Sequence, residues 1–210
     1  MKKVLLIRHG ESQHNASGEC FSGHADIPLS SVGREQAKQL RPLLTNVSID
    51  EVYVSPLHRA KETASLAMPG FSQSVQTARC LIEFDYGDYD GLSYAQFKEN
   101  DSVIRRWKYN PASLCFPHGG CISHHADQAL KGLEELVDFS SKTVLACFSH
   151  KTTIRLIVSK VLGLPLDYFR RVPCGNASIT VLRFDQGKFS VESINVSAEF
   201  FIPAHEWRTV

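Results

Sequence analysis

Apolar residues in this chain fall into continuous blocks and into helical stripes, and the two alternate. "KKVLLI" opens with a block of the kind a strand covered on both faces would show. "GREQAKQLRPLL" follows, with Gly33, Ala37, Leu40 and Leu44 at helical spacing and Ser30 or Ser31 available as cap. "EVYV" predicts a short strand stopping at Ser55-Pro56. "LHRAKETASLAM" then sets Leu57, Ala60, Ala64 and Ala67 on one stripe, closed by Pro69-Gly70. Residues 85–110, rich in Gly, Asp and Tyr, predict irregular chain followed by a helix. "HADQALKGLEELVDF" is amphipathic, with Ala126, Leu130, Leu133 and Val137 as its apolar face. "KTVLACFS" is a third strongly apolar strand, and "TTIRLIVSKVLGLP" a helix closed by Gly163 and Pro165. "SITVLRF", "DQGK" and "FSVESI" predict a terminal hairpin.

This alternation predicts an α/β fold: one domain over residues 1–210, doubly wound, with a mainly parallel sheet and helices on both faces. Such sheets place their sites beyond the carboxyl ends of the strands. The first apolar block ends in Arg8, His9 and Gly10. The second runs through Ser55 and Pro56 into His58 and Arg59, and the third ends in Ser149 and His150. Charge is costly to bury unpaired. If the three strands run parallel, two histidines and two arginines meet at one sheet edge. That is a cationic pocket, and its natural guest is phosphate, which arginine grips through a planar fork of donors. A histidine there can act as nucleophile. A departing alkoxide needs an acid, and "LIEFDYGDYDG" offers Glu83, with Asp85, Asp88 and Asp90 as alternatives.

Composition excludes some classes of guest. Of 210 residues, 23 are basic and 22 acidic, so the net charge of +1 gives no bulk attraction to nucleic acid or to a membrane surface. The apolar runs fall short of a membrane span, and "VLLI" is too short for a signal-peptide core, so a cytoplasmic protein is expected. Six cysteines (Cys20, Cys80, Cys115, Cys121, Cys147, Cys174) lie scattered without a C-x-x-C pair and read as thiols rather than as a disulfide framework. "HGGCISHH" holds metal-ligand residue types (His118, Cys121, His124, His125), but its spacing matches no common zinc pattern, so no metal is expected. Phe84, Tyr86 and Tyr89 are expected to pack around the acid.

"LIRHGES", "DIPLSSVGREQA", "VYVSPLHRAKETA", "LIEFDYGDYDG" and "FSHKTTIR" resemble, in order, the motifs of the histidine phosphatase superfamily. The resemblance runs from Val4 to Arg155 and implies a phosphoglycerate mutase-like fold and a phosphomonoester hydrolase working through a phosphohistidine, without metal or other cofactor. It implies His9 as nucleophile, Arg8, Arg59 and His150 as the phosphoryl clamp, Glu83 as general acid and Asn15 as a further phosphate contact. Lys151 stands where the family usually has Gly or Ala, and is a candidate substrate contact. Cys121 replaces a usual glutamate, His24 a frequent tryptophan, and Arg105-Arg106 resembles a pair that mutases use for substrate. The implied substrate is a small phosphomonoester: a sugar phosphate, a phosphoglycerate, a nucleoside-like phosphate or phosphoserine. The rival readings are a cofactor-dependent phosphoglycerate mutase and a non-catalytic module that holds a phosphorylated ligand.

Overall fold

The computed structural model describes residues 1–16, 18, 20–71, 75–97 and 101–197. Its six strands are β1 (Lys2–Arg8), β2 (Glu51–Val54), β3 (Val75–Thr77), β4 (Val144–Ser149), β5 (Ile179–Asp185) and β6 (Lys188–Val196). Its helices are α1 (Gln13–Ala16), α2 (Ser31–Gln39), α3 (Arg41–Thr45), α4 (His58–Ala67), α5 (Ser102–Tyr109), α6 (Ile122–Phe139) and α7 (Lys151–Val161). The strands form one sheet in the order β3-β2-β4-β1-β5-β6. The four from β3 to β1 are parallel; β5 runs antiparallel to β1, and β6 pairs with β5 as the expected hairpin.

Both faces of this sheet are covered, which is why its strands read as unbroken apolar blocks. Leu5 and Ile7 of β1 pack with Ala60, Ala64 and Ala67 of α4 and with Leu40 and Leu44, while Val4 and Leu6 face Ala129, Leu133 and Val137 of α6 and Ile154, Ile157 and Val158 of α7. The alanines let α4 lie close to the strands. A third, aromatic cluster (Phe21, Phe84, Tyr86, Trp107, Phe116, Phe169) fills the space beyond the strand ends.

Local chemistry sets several boundaries. Ser30, not Ser31, caps α2: its hydroxyl accepts the Gly33 N–H at 3.0 Å. The single helix expected over 33–44 is broken at Leu40 into α2 and α3, with Pro42 in the first turn of α3, where its missing N–H costs nothing. Helix α6 begins three residues earlier than its stripe suggests, and Ala129 takes the buried place expected of Leu130, which is half-buried. Strand β3 is too short and too exposed to leave a sequence signal. Residues 98–100, within the stretch expected to be irregular, lie outside the described residues.

The cysteines differ from expectation. Cys115 and Cys121 form a disulfide, and the other four are free thiols. The pair sits at an antiparallel bridge, where the turn through Pro117, His118, Gly119 and Gly120 folds one cysteine onto the other. A six-residue separation hides that closure. The loop they close lies on the chain just after Glu83: Asp88 N–H donates to Pro117 O, and Gly120 N–H donates to Asp85 O.

Gly10 and Gly33 mark the tightest approach in the fold. A Cβ at Gly10 would stand 2.3 Å from Gly33 O, and one at Gly33 would stand 1.9 Å from Glu11 O. Gly10 follows His9 because the start of α2 passes directly over it.

Two outcomes follow for this architecture. Gly33→Ala lowers the unfolding free energy by more than about 2 kcal/mol in urea titration, because backbone must move to admit the methyl group; Val32→Ala, half exposed, stays within about 0.5 kcal/mol. Denatured without reductant, the protein titrates four thiols, and six after reduction; six before reduction would contradict the disulfide.

Candidate active site

Strands β2, β4 and β1 are parallel neighbours whose carboxyl ends are level. Arg8 pairs with Ser149, Val54 with Phe148, and Ser55 N–H donates to Phe148 O. The convergence expected from the three strand ends therefore occurs. The His9 and His150 rings lie 5.1 Å apart between centroids, and Arg59 Nε donates to His9 Nε2 at 3.3 Å. Arg8, His9, Arg59, Glu83 and His150 are all buried, with Arg59 and His150 fully so.

Hydrogen bonds fix the state of His9. Its Nδ1 is 2.6 Å from Gly10 O, which can only accept, so the hydrogen is on Nδ1. The Nε2 lone pair is then unprotonated and accepts the Arg59 Nε–H. Burial first, then Arg59 and Arg8, hold His9 well below the usual imidazole range, so at neutral pH it is a neutral base. His150 is depressed in the same way, by burial first and then by Arg59 and His9. Its Nε2 meets Ser55 Oγ at 2.7 Å, and its Nδ1 has no hydrogen-bond partner.

The arginines are held by carbonyl oxygens rather than by direct ion pairs. Arg8 donates to Cys174 O at 2.8 Å, and Arg59 to Ala25 O at 2.9 Å and to Gly23 O at 2.7 Å. The loop supplying those last two carbonyls is itself pinned, since Asp90 accepts the N–H groups of Gly23 and Ala25. Glu83 supplies opposite charge to both arginines. Its carboxylate also accepts the Thr152, Thr153 and Phe84 N–H groups, at 3.1, 3.1 and 2.9 Å, and so caps α7.

Of the rival acids, Asp85 accepts the Gly87 N–H, Asp88 pairs with His118 at the surface, and Asp90 braces the Arg59 loop. Glu83 alone of the four is buried among the cluster. The bonds described for Asn15 run to Ser12, whose N–H and hydroxyl donate to Asn15 Oδ1. Lys151 is exposed at the first position of α7, one residue after His150. Arg105 and Arg106 are exposed, and Arg106 donates to Ser113 O. His118, Cys121, His124 and His125 do not converge as ligands: among the described residues no group of three His, Cys, Asp or Glu is placed to hold a metal ion. Cys121, His124 and His125 instead line a cleft of about 450 Å³ with His24 and Asp85. His24 Nε2 meets the Glu83 carbonyl at 2.8 Å. Phe84 and Tyr86 pack in the aromatic cluster beside the acid, with Tyr89 at its edge.

Sequence reading missed Ser55, Thr152, Thr153 and the structural use of Asp90. The only sequence hint for the threonines is their place at the start of a helix that follows His150 directly.

A family profile for the histidine phosphatase superfamily, branch 1, matches residues 4–197. The chain belongs to that superfamily. It is 29% identical over 210 residues to phosphoserine phosphatase 1 of Hydrogenobacter thermophilus, covering 98% of this chain and 99% of that one. It is 30% identical over 197 residues to the adenosylcobalamin/α-ribazole phosphatase of Escherichia coli, covering 92% and 90%. Among solved structures, the α-ribazole phosphatase of Shigella flexneri superposes with a TM-score of 0.80 at 26% identity, covering 92% of this chain and 96% of that one. As a member of this family the protein is a phosphoric monoester hydrolase, and its fold is the phosphoglycerate mutase-like α/β fold. Among the described residues no helix is long and apolar enough to cross a membrane.

The buried neutral histidines make stability depend on pH. His9 and His150 titrate well below their unfolded value of 6.5 and His125 is pushed down to about 4, so below pH 6.5 the unfolded chain binds protons that the folded chain refuses. Their contribution is complete above pH 6.5 and falls as the pH drops below it, by at most about 1.4 kcal/mol per histidine per pH unit. Urea midpoints measured from pH 7.5 to 5.0 decline, and His125→Gln makes the decline shallower. A flat profile would contradict neutral, buried imidazoles.

Proposed function

We propose that the protein hydrolyses a small phosphorylated metabolite through a phosphohistidine on His9, without a metal ion. The observation that carries this reading is the His9 Nε2 lone pair, left unprotonated by the Nδ1 bond to Gly10 O and turned to the Arg59 guanidinium that donates to it. In the first step Nε2 attacks phosphorus, the bond to the leaving oxygen breaks, and Glu83 gives that oxygen its proton. In the second step water attacks the phosphohistidine, its proton passes to Glu83, and His9 is released with inorganic phosphate. Arg8, Arg59 and His150 stabilise the charge on the equatorial oxygens, the role a metal would otherwise fill.

Asn15 and Lys151 contact the substrate in this proposal: Lys151 from the rim beside His150, and Asn15 from the loop after β1. The names of the relatives support a small phosphomonoester as the class of substrate. Cytoplasmic residence belongs to the same proposal; four free cysteines favour it and the Cys115–Cys121 bond stands against it.

Alkaline quench during turnover of a labelled phosphomonoester, in the presence of excess chelator, traps a base-stable phosphoryl group on His9 that later acid treatment releases. His9→Ala loses both the adduct and turnover. Full activity of His9→Ala, or loss of activity on chelation with recovery on adding zinc, would end the proposal.

A further inference from the structure

Thr153 lies where three polar groups meet. Its Oγ1 is 2.9 Å from His125 Nε2, 2.6 Å from Ile82 O and 3.2 Å from Glu83 Oε1. A hydroxyl has one hydrogen and two lone pairs. Ile82 O can only accept, so the Thr153 hydrogen points to the side shared by Ile82 O and Glu83 Oε1. His125 is then the donor, with its hydrogen on Nε2. Burial, by holding His125 neutral with its pKa pushed down to about 4, makes that a single tautomer rather than an imidazolium. The ring is kept in place edge-on against Phe84, 5.4 Å between centroids.

This arrangement makes the two oxygens of Glu83 unequal. Oε1 meets the Phe84 N–H, the Thr153 N–H and the Thr153 hydroxyl; Oε2, among the described residues, meets the Thr152 N–H alone. An oxygen that accepts two N–H groups and shares the Thr153 hydrogen with Ile82 O has no lone pair left for a proton. We propose that Thr153, oriented by His125, is a positioning residue for the acid: it fills Oε1, so that the proton Glu83 delivers to the leaving group is carried on Oε2. His125 acts one bond further back, from the wall of the cleft on α6. The proposal rests on the reading of Glu83 as general acid.

A proton donor matters most to a leaving group that is a poor one. An alkyl phosphate must expel an alkoxide, whereas nitrophenyl phosphate expels a stable phenolate. The test measures kcat/KM on both substrates, with inhibition by inorganic phosphate as the gauge of phosphate binding, in Glu83→Gln, Thr153→Val, Thr153→Ser and His125→Phe. Thr153→Val is expected to lower kcat/KM for the alkyl phosphate about tenfold more than for nitrophenyl phosphate. Its inhibition by phosphate stays within twofold. Thr153→Ser, which keeps the hydroxyl, restores most of the loss. His125→Phe, which keeps a ring against Phe84 but removes the donor, shows the same preference to a smaller degree and carries the test should Thr153→Val not fold. Equal losses on both substrates, or no recovery with serine, would reduce Thr153 to a packing residue and overturn the proposal. If Glu83→Gln shows the leaving-group dependence and Thr153→Val does not, the positioning role falls while the acid stands. If Glu83→Gln shows none, the acid assignment falls first and takes this inference with it.

Discussion

Two guanidinium groups are buried at the ends of three parallel strands, and the surrounding loops are arranged around keeping them there. A buried cation needs either an opposite charge or enough hydrogen-bond acceptors to replace water. Arg8 and Arg59 have carbonyl oxygens from Cys174, Gly23 and Ala25, and a single carboxylate, Glu83, near both. The loop carrying Gly23 and Ala25 is fixed in turn by Asp90, and the aromatic cluster roofs the space above. Asp90 and Asp26 add their charge beside Arg59, while both imidazoles stay neutral. Two guanidinium groups brought to one place offer the paired donors that suit a phosphate.

The same constraint explains why the histidines are neutral. An imidazolium beside two guanidiniums in a dry pocket would meet repulsion with little solvent to relieve it, so His9 and His150 give up their second proton. Neutrality is what a nucleophile requires, and the Gly10 carbonyl decides which nitrogen keeps the remaining hydrogen. The glycine after His9 is therefore doubly placed. Its carbonyl sets the tautomer, and its missing side chain lets Gly33 and the start of α2 close over the strand end.

The apolar blocks revealed β1, β2 and β4 because strands buried on both faces have no polar alternation to confuse the reading. Their polar endings then revealed Arg8, Arg59 and His150, since level parallel strands turn three separate stretches of sequence into one place. Glu83 was legible only as one of four carboxylates. What singles it out is its burial at the start of α7, where its carboxylate accepts the Thr152 and Thr153 N–H groups. The disulfide was not legible, and Thr153 only through its place at the start of the helix after His150. Each depends on a tertiary approach, Cys115 to Cys121 across a turn and Thr153 to the neighbours of Glu83, that leaves no periodic trace in the chain.

Glu83 also joins the phosphate site to the rest of the fold. By capping α7 it ties the acid to the helix that begins at His150, so the acid and one wall of the clamp are a single rigid piece. The chain just after it is held differently: Asp85 and Asp88 hang on the loop that Cys115 and Cys121 close, and that loop leads into α6 and His125. In the proposed function the phosphate-handling half of the site is thus built on strand ends and a helix terminus, and the side beyond it on loops, a cleft and a disulfide. Rigid elements suit the part of the reaction that is the same for every phosphomonoester. Loops suit the part that distinguishes one alcohol from another. The departures at His24 and Cys121 line the cleft, while Lys151 stands at the start of α7 next to His150.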